Sequence, residues 1–145
     1  MRGTITIVAM WFLSLSVLAG ETMPNTPIGR DVSEGLMISS AARAAISDIF
    51  LSSGRFPKNR VEAGMSETPS DTSYGVVSSL EIFSGVVVVT FNEAAESELS
   101  GKSLAWTPVV DEEIGLSWAC TARLPEEAQH LTAPSADVLP FFCSS

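Results

Sequence analysis

Two cysteines, a single histidine and three short groups of carboxylates are the residues of this 145-residue chain whose types could do chemistry. Cys120 and Cys143 allow one intramolecular pairing. In an exported protein an even cysteine count favours a disulfide, and closing that loop restricts the unfolded chain, worth about 3 kcal/mol. Two free thiols or a pair of metal ligands form the competing reading, but no second pair of ligands sits nearby at metal spacing. His130 stands beside Gln129, and no serine occupies a nucleophile-elbow pattern, so a serine–histidine–acid triad has no support. His130 reads as a surface-loop residue. Glu93, Glu96 and Glu98 read as a solvated acidic loop rather than a carboxylate pair or a metal site. Asp111-Glu112-Glu113 reads as a turn and does not match a calcium-loop pattern. Glu126-Glu127 is a charged loop pair. The glycines are dispersed at element boundaries and form no phosphate-cradling loop. Trp106 and Trp118 read as anchors of a core or an interface rather than ligand platforms. No enzyme, cofactor or metal site is expected.

The elements that position these residues follow from charge and periodicity. The formal net charge is −9 with only eight lysines and arginines, and these are scattered. Phosphate binding needs clustered basic residues, so nucleic acid is excluded as a partner. A hydrophobic content of 46% argues against disorder. Residues 1–20 read as a secretory signal, with Arg2 as the positive end, an apolar run from Thr4 to Leu18, and cleavage after Ala19 or Gly20. The run is too short for a comfortable membrane span of about 20 residues. The competing reading is an uncleaved anchor, the one route by which the chain would touch a membrane. Glu21 stands where a lipoprotein signal would need cysteine.

Residues 21–30, with Pro24, Pro27 and Gly29, read as a flexible lead-in, and residues 31–145 as one globular domain. Asp31 or Ser33 is the expected N-cap of a helix. Its apolar face runs through Val32, Leu36, Ser39, Ala42, Ala45, Ile46, Ile49 and Phe50. Gly54 is the expected left-handed C-cap residue, and Pro57 prevents continuation. Lys58 to Tyr74 is a long polar connection. Strands are expected over 75–83, 85–91, 103–110 and 114–120, the second placed centrally because Val86 to Val89 is apolar on both faces. Ile114, Leu116, Trp118 and Cys120 share one face of the fourth strand. Residues 121–142 form an irregular excursion. Phe141-Phe142 reads either as tail packing or as an exposed edge. The fold class is α+β, with one N-terminal helix on an antiparallel sheet of about four strands.

The order of local motifs resembles a known family. It runs from Ser53-Gly54-Arg55-Phe56-Pro57 through Glu62-Ala63-Gly64 to Gly85-Val86-Val87-Val88-Val89-Thr90-Phe91. Gly101-Lys102-Ser103-Leu104, Thr107-Pro108 and Trp118-Ala119-Cys120 follow, then Leu139-Pro140 before Cys143. From about Val32 to Cys143 this resembles the globular head of type IV pilins. The resemblance implies that the segment from Cys120 to Cys143 is a disulfide-closed D-region and that Arg55 to Tyr74 is the αβ-loop. Both regions carry subunit contacts and adhesion in that family. It points to Arg55, Phe56, Lys58, Arg60, Tyr74, Arg123 and His130 as interaction residues. The chain departs from the family pattern at its start. Type IV pilins retain a long apolar segment, with a Glu near its beginning, after a short basic leader. Here the apolar run precedes the expected cleavage site.

The expected function is non-enzymatic: a pilin-like protein of a type IV pilus system, involved in adhesion or assembly through protein contacts. It would be exported to the periplasm or cell surface. Pilin subunits, assembly proteins and a host or surface receptor are the expected partners. A soluble periplasmic mimic that modulates assembly and a surface carbohydrate-binding module are the alternatives.

Overall fold

The computed structural model of the protein describes residues 26–144. The expected signal sequence and most of the lead-in lie outside the described residues. Two helical segments come first, α1 (Pro27–Ile38) and α2 (Ser40–Ser53). Four antiparallel strands follow: β1 (Val77–Phe83), β2 (Val86–Phe91), β3 (Ser103–Asp111) and β4 (Gly115–Thr121). A two-residue strand β5 (Cys143–Ser144) pairs parallel to β4, and the sheet order is β1-β2-β3-β4-β5. The α+β class stands, with β2 inside the sheet as its two apolar faces require.

The helix starts earlier than its sequence signals indicate. Thr26 Oγ1 accepts a hydrogen bond from the Gly29 amide at 3.0 Å, which makes Thr26 the cap. Pro27 sits in the first turn, where its fixed φ suits the helix and its missing N–H has no partner to lose. The expected caps, Asp31 and Ser33, therefore lie inside the helix. Ser33 Oγ donates to the Gly29 carbonyl at 2.7 Å. Asp31 instead ties the helix to the loop after β2, where its Oδ2 accepts from the Glu96 amide at 2.8 Å. Glu34 Oε1 likewise accepts from the Val76 amide at 3.0 Å, just before β1.

Ser39 separates the two helical segments while staying in right-handed helical conformation. The Leu36 carbonyl accepts from Ser39 Oγ at 2.9 Å and from Arg43 Nη2 at 3.0 Å. Side-chain hydroxyls that bond back into a helix in this way disturb its regular ladder. Gly54 ends α2 with φ of 73° and donates its amide to the Phe50 carbonyl at 2.8 Å.

The sheet has an apolar core on each side. Val32, Ala42 and Ile46 of the helix pack with Leu80, Val87, Val89, Phe91, Leu104 and Trp106 on one face. On the other face Val88 and Ala105 meet Ala128, with Phe83, Leu124 and Leu131 around them. The segment after β4 thus folds back as a partial third layer, beyond the two layers expected. This explains why β2 is apolar on both sides. Ser84 and Gly85 both take positive φ, 49° and 86°, which gives the β1–β2 hairpin the turn sense that matches strand twist. Asp111 Oδ1 accepts from the Glu113 and Ile114 amides at 2.8 and 2.9 Å and organises the β3–β4 turn. Those two bonds hold its carboxyl below the usual range. Ile114 belongs to this turn rather than to the apolar face of β4, and it is 80% exposed. A side chain in a three-residue hairpin loop has no sheet neighbour to cover it.

The helix approaches the sheet closely at Gly35. A Cβ there would lie 3.0 Å from Phe91 Cζ and 3.1 Å from a ring carbon of Trp106. Gly35→Val inserts more bulk than this contact can absorb. Overpacking predicts a loss of about 1–3 kcal/mol in urea unfolding. An unchanged midpoint would show that the helix can lift off the sheet without cost.

Candidate functional site

The seven residues expected at an interaction surface fall into different settings. Arg55 and Lys58 are exposed just past the end of α2. Phe56 is half-buried, its ring stacked on Phe50 with centroids 4.4 Å apart. It also closes over Gly85, where a Cβ would lie only 2.7 Å from Phe56 atoms. Tyr74 is exposed, and its backbone forms an isolated bridge with Val77. Arg123 is exposed in the tail segment, its amide donating to Thr121 Oγ1 at 2.6 Å. His130 is exposed and meets Phe83 edge-on, with ring centroids 6.4 Å apart.

Arg60 is the correction. It is only 5% exposed and is a strut of the loop rather than a free interaction residue. Its guanidinium donates to the Ser66 carbonyl at 2.7 Å, to Thr72 Oγ1 at 2.9 Å and to the Leu80 carbonyl at 2.6 Å. Burial lowers its pKa, and the nearby carboxylates of Asp71 and Glu81 oppose that shift. Five fixed donors suit arginine to gathering several acceptors at once. A polar connection that looks unanchored in sequence is therefore held to the edge of the sheet by one side chain.

The β1–β2 turn brings the two loops together. The Ser84 amide donates to the Lys58 carbonyl at 3.0 Å, and Ser84 Oγ donates to Glu127 Oε1 at 3.3 Å. Lys58 and Arg60 from one loop and His130 from the other thus surround the end of β1 at Phe83. No hydrogen bond or ring contact joins Tyr74 or Arg123 to that group among the described residues. No group of three metal-ligating side chains occurs among them either.

Cys120 and Cys143 form the disulfide, with Cα atoms 4.4 Å apart. They are also directly paired between β4 and β5. Phe142 packs against the core while Phe141 is 70% exposed, so the two readings of this pair divide between its members. Trp106 is buried and Trp118 half-buried, with the Arg43 guanidinium 6.0 Å above the Trp118 ring.

A surface missed from sequence is the far end of the β3–β4 hairpin. Pairing of β3 with β2 stops at Trp106, yet β3 and β4 stay paired to Asp111 and Gly115. Val109, Val110 and Ile114 are exposed on this projection. The length of the third apolar run beyond its neighbour was the available signal. Pro108 lies on the unpaired edge, where it has no N–H to offer another strand.

A helix, a strapped loop, an antiparallel sheet and a disulfide-closed tail together make up the head domain. A family model for pilin, the bacterial filament protein, matches residues 31–143. The chain is 31% identical over 75 residues to a type IV major pilin protein PilE1 of Neisseria gonorrhoeae, covering 51% of this chain and 46% of the relative. It is 29% identical over 91 residues to a fimbrial protein of Neisseria meningitidis serogroup A, covering 61% of this chain and 52% of that relative. The chain thus spans about half the length of the curated relatives it matches. It belongs to the pilin family and is a structural, non-enzymatic protein. No helix among the described residues is long and apolar enough to cross a membrane.

Two outcomes test this architecture. The bridge closes a sequence separation of 23 residues. Replacing both cysteines by serine is expected to cost about 3 kcal/mol, and amide exchange should accelerate in the tail segment before the sheet. Equal unfolding midpoints with and without reductant would contradict a stabilising bridge. Arg60→Met removes donors from buried acceptors and is expected to cost about 2–3 kcal/mol. Arg60→Lys should recover little of it, because one ammonium cannot reach three separate acceptors. Full recovery by lysine would mean that charge, not geometry, holds the loop.

Proposed function

We propose that this pilin-family protein serves a type IV pilus system in adhesion or assembly, through protein contacts made by its head. The reading is carried by the family match across residues 31–143, which spans the helix, both loops and the sheet. Side chains exposed where a packed monomer has no need of them support it. Val110 and Ile114 on the projecting hairpin, Leu51 on the helix and Phe141 beside the disulfide are each more than half exposed. Such residues gain free energy when a neighbour covers them. Pilin subunits or assembly proteins fit this role, and a host or surface receptor is a further partner class. Export to the periplasm or cell surface follows from the same reading.

The alternative is a head that modulates assembly from the periplasm. Cross-linking in a piliated host, with mass spectrometry of sheared-pilus and periplasmic fractions, separates the two. Recovery in sheared pili, cross-linked to pilin through the β3–β4 hairpin or the tail segment, supports the filament role. A periplasmic species cross-linked to assembly proteins supports modulation. Absence of any pilin or assembly protein among the cross-links would overturn both.

A further inference from the structure

The β3–β4 hairpin and the end of α2 lie at the same end of the molecule. The Lys58 carbonyl accepts the Ser84 amide and Phe56 closes over Gly85, so the chain leaving α2 sits against the β1–β2 turn. β2 begins at that turn, and its pairing with β3 ends at Val87 and Trp106. β3 then runs on in the same direction to Asp111, about 17 Å further at the usual rise of a strand. Ile114 at the hairpin tip is 80% exposed and Leu51 near the end of α2 is 74% exposed, so neither covers the other within one chain.

The two surfaces are opposite in charge. The hairpin turn carries Asp111, Glu112 and Glu113, and no lysine or arginine lies between Lys102 and Arg123, which stand at the other end of the strands. Arg43, over Trp118 further back on β4, is committed to Ser39 Oγ and the Leu36 carbonyl. Asp111 Oδ1 serves the turn amides, whereas the carboxylates of Glu112 and Glu113 make no hydrogen bond or ion pair among the described residues. Arg55 and Lys58 are exposed just past α2, and their side chains are likewise unbonded there. Asp48 and Glu62 are their acidic neighbours in the chain, and Glu62 Oε2 accepts the Lys58 amide. No other two exposed cations stand so near each other along the described chain.

We propose that the hairpin of one protomer docks on the α2 end of a second copy, whose own hairpin docks back in the same way. Val110 and Ile114 then cover Leu51, while Glu112 and Glu113 meet Arg55 and Lys58. A second copy fits because this chain carries both halves, each an exposed apolar side chain beside unpaired charge of opposite sign. Pro108 has no N–H and keeps the free edge of β3 from taking on another strand, so side chains make the contact. Because both halves lie at one end, each protomer gives and receives, and the contact closes as a two-fold dimer rather than running on as a filament. This inference does not rest on the pilus reading: it is tested in purified protein, whereas that reading is tested in sheared pili.

The experiment follows the mass of the purified full chain by sedimentation as its concentration rises. A dimer that added salt weakens is expected, since exposed charge pairs are screened. Glu112→Lys with Glu113→Lys should weaken dimerisation about tenfold or more, and so should Arg55→Glu with Lys58→Glu, because each places like charges together. An equal mixture of the two double variants should restore the dimer, since every hairpin then meets opposite charge on its partner. Ile114→Ser should weaken the dimer at every salt concentration. None of these side chains is bonded within the chain, so the variants keep the fold. A monomer at every concentration would overturn the inference. So would double variants that dimerise like the parent, a mixture that stays monomeric, or oligomers that keep growing with concentration.

Discussion

Seating of the helix on the sheet is the constraint from which the rest of this structure follows. At Gly35 the backbone of α1 lies directly over Phe91 and Trp106, so that even a Cβ would press on both rings. That close approach buries Val32, Ala42 and Ile46 and sets the distance at which polar groups along the helix meet the sheet. Asp31 and Glu34 then reach the Glu96 and Val76 amides, fixing the loop after β2 and the entry into β1. Burial supplies the bulk of the stabilisation because it scales with apolar area. The carboxylates supply register, because each accepts from one particular amide.

With one face of the sheet occupied, its other face and its edges remain to be protected. The tail answers for the back face by placing Ala128 on Val88 and Ala105. It also answers for the β4 edge, where β5 adds two residues of parallel pairing at the disulfide. The bridge therefore holds the tail where it covers apolar surface. The β1 edge is handled differently. Arg60 takes one carbonyl of the strand and Lys58 one amide beyond it, and the stretch between them borders a cavity. A polar loop that lacks an apolar core of its own is thereby made part of the sheet.

The same geometry decides which residues remain available to a partner. Strand pairing makes the β3–β4 hairpin longer than β2, so Val109, Val110 and Ile114 stand beyond any covering element. The β1–β2 turn joins both loops through Ser84 and leaves Lys58 and His130 exposed beside Phe83.

Sequence alone determined the features that depend on local chemistry. The left-handed glycine at residue 54, the four antiparallel strands, the turn at Asp111 and the inner position of β2 were all legible, because period, turn residues and β-branching act over a few positions. The motif order carried the pilin resemblance, and two cysteines left one intramolecular pairing. Tertiary structure decided what depends on contacts between distant residues. Thr26 and Pro27, not Asp31, begin the helix, since Asp31 is needed 65 positions away at Glu96. Arg60 looks in sequence like any charged loop residue. Only its burial against Ser66, Thr72 and Leu80 makes it structural, because an arginine is committed once its donors find acceptors out of water. Ile114 carries an apolar side chain, but its place at the end of a projecting hairpin leaves nothing near enough to bury it.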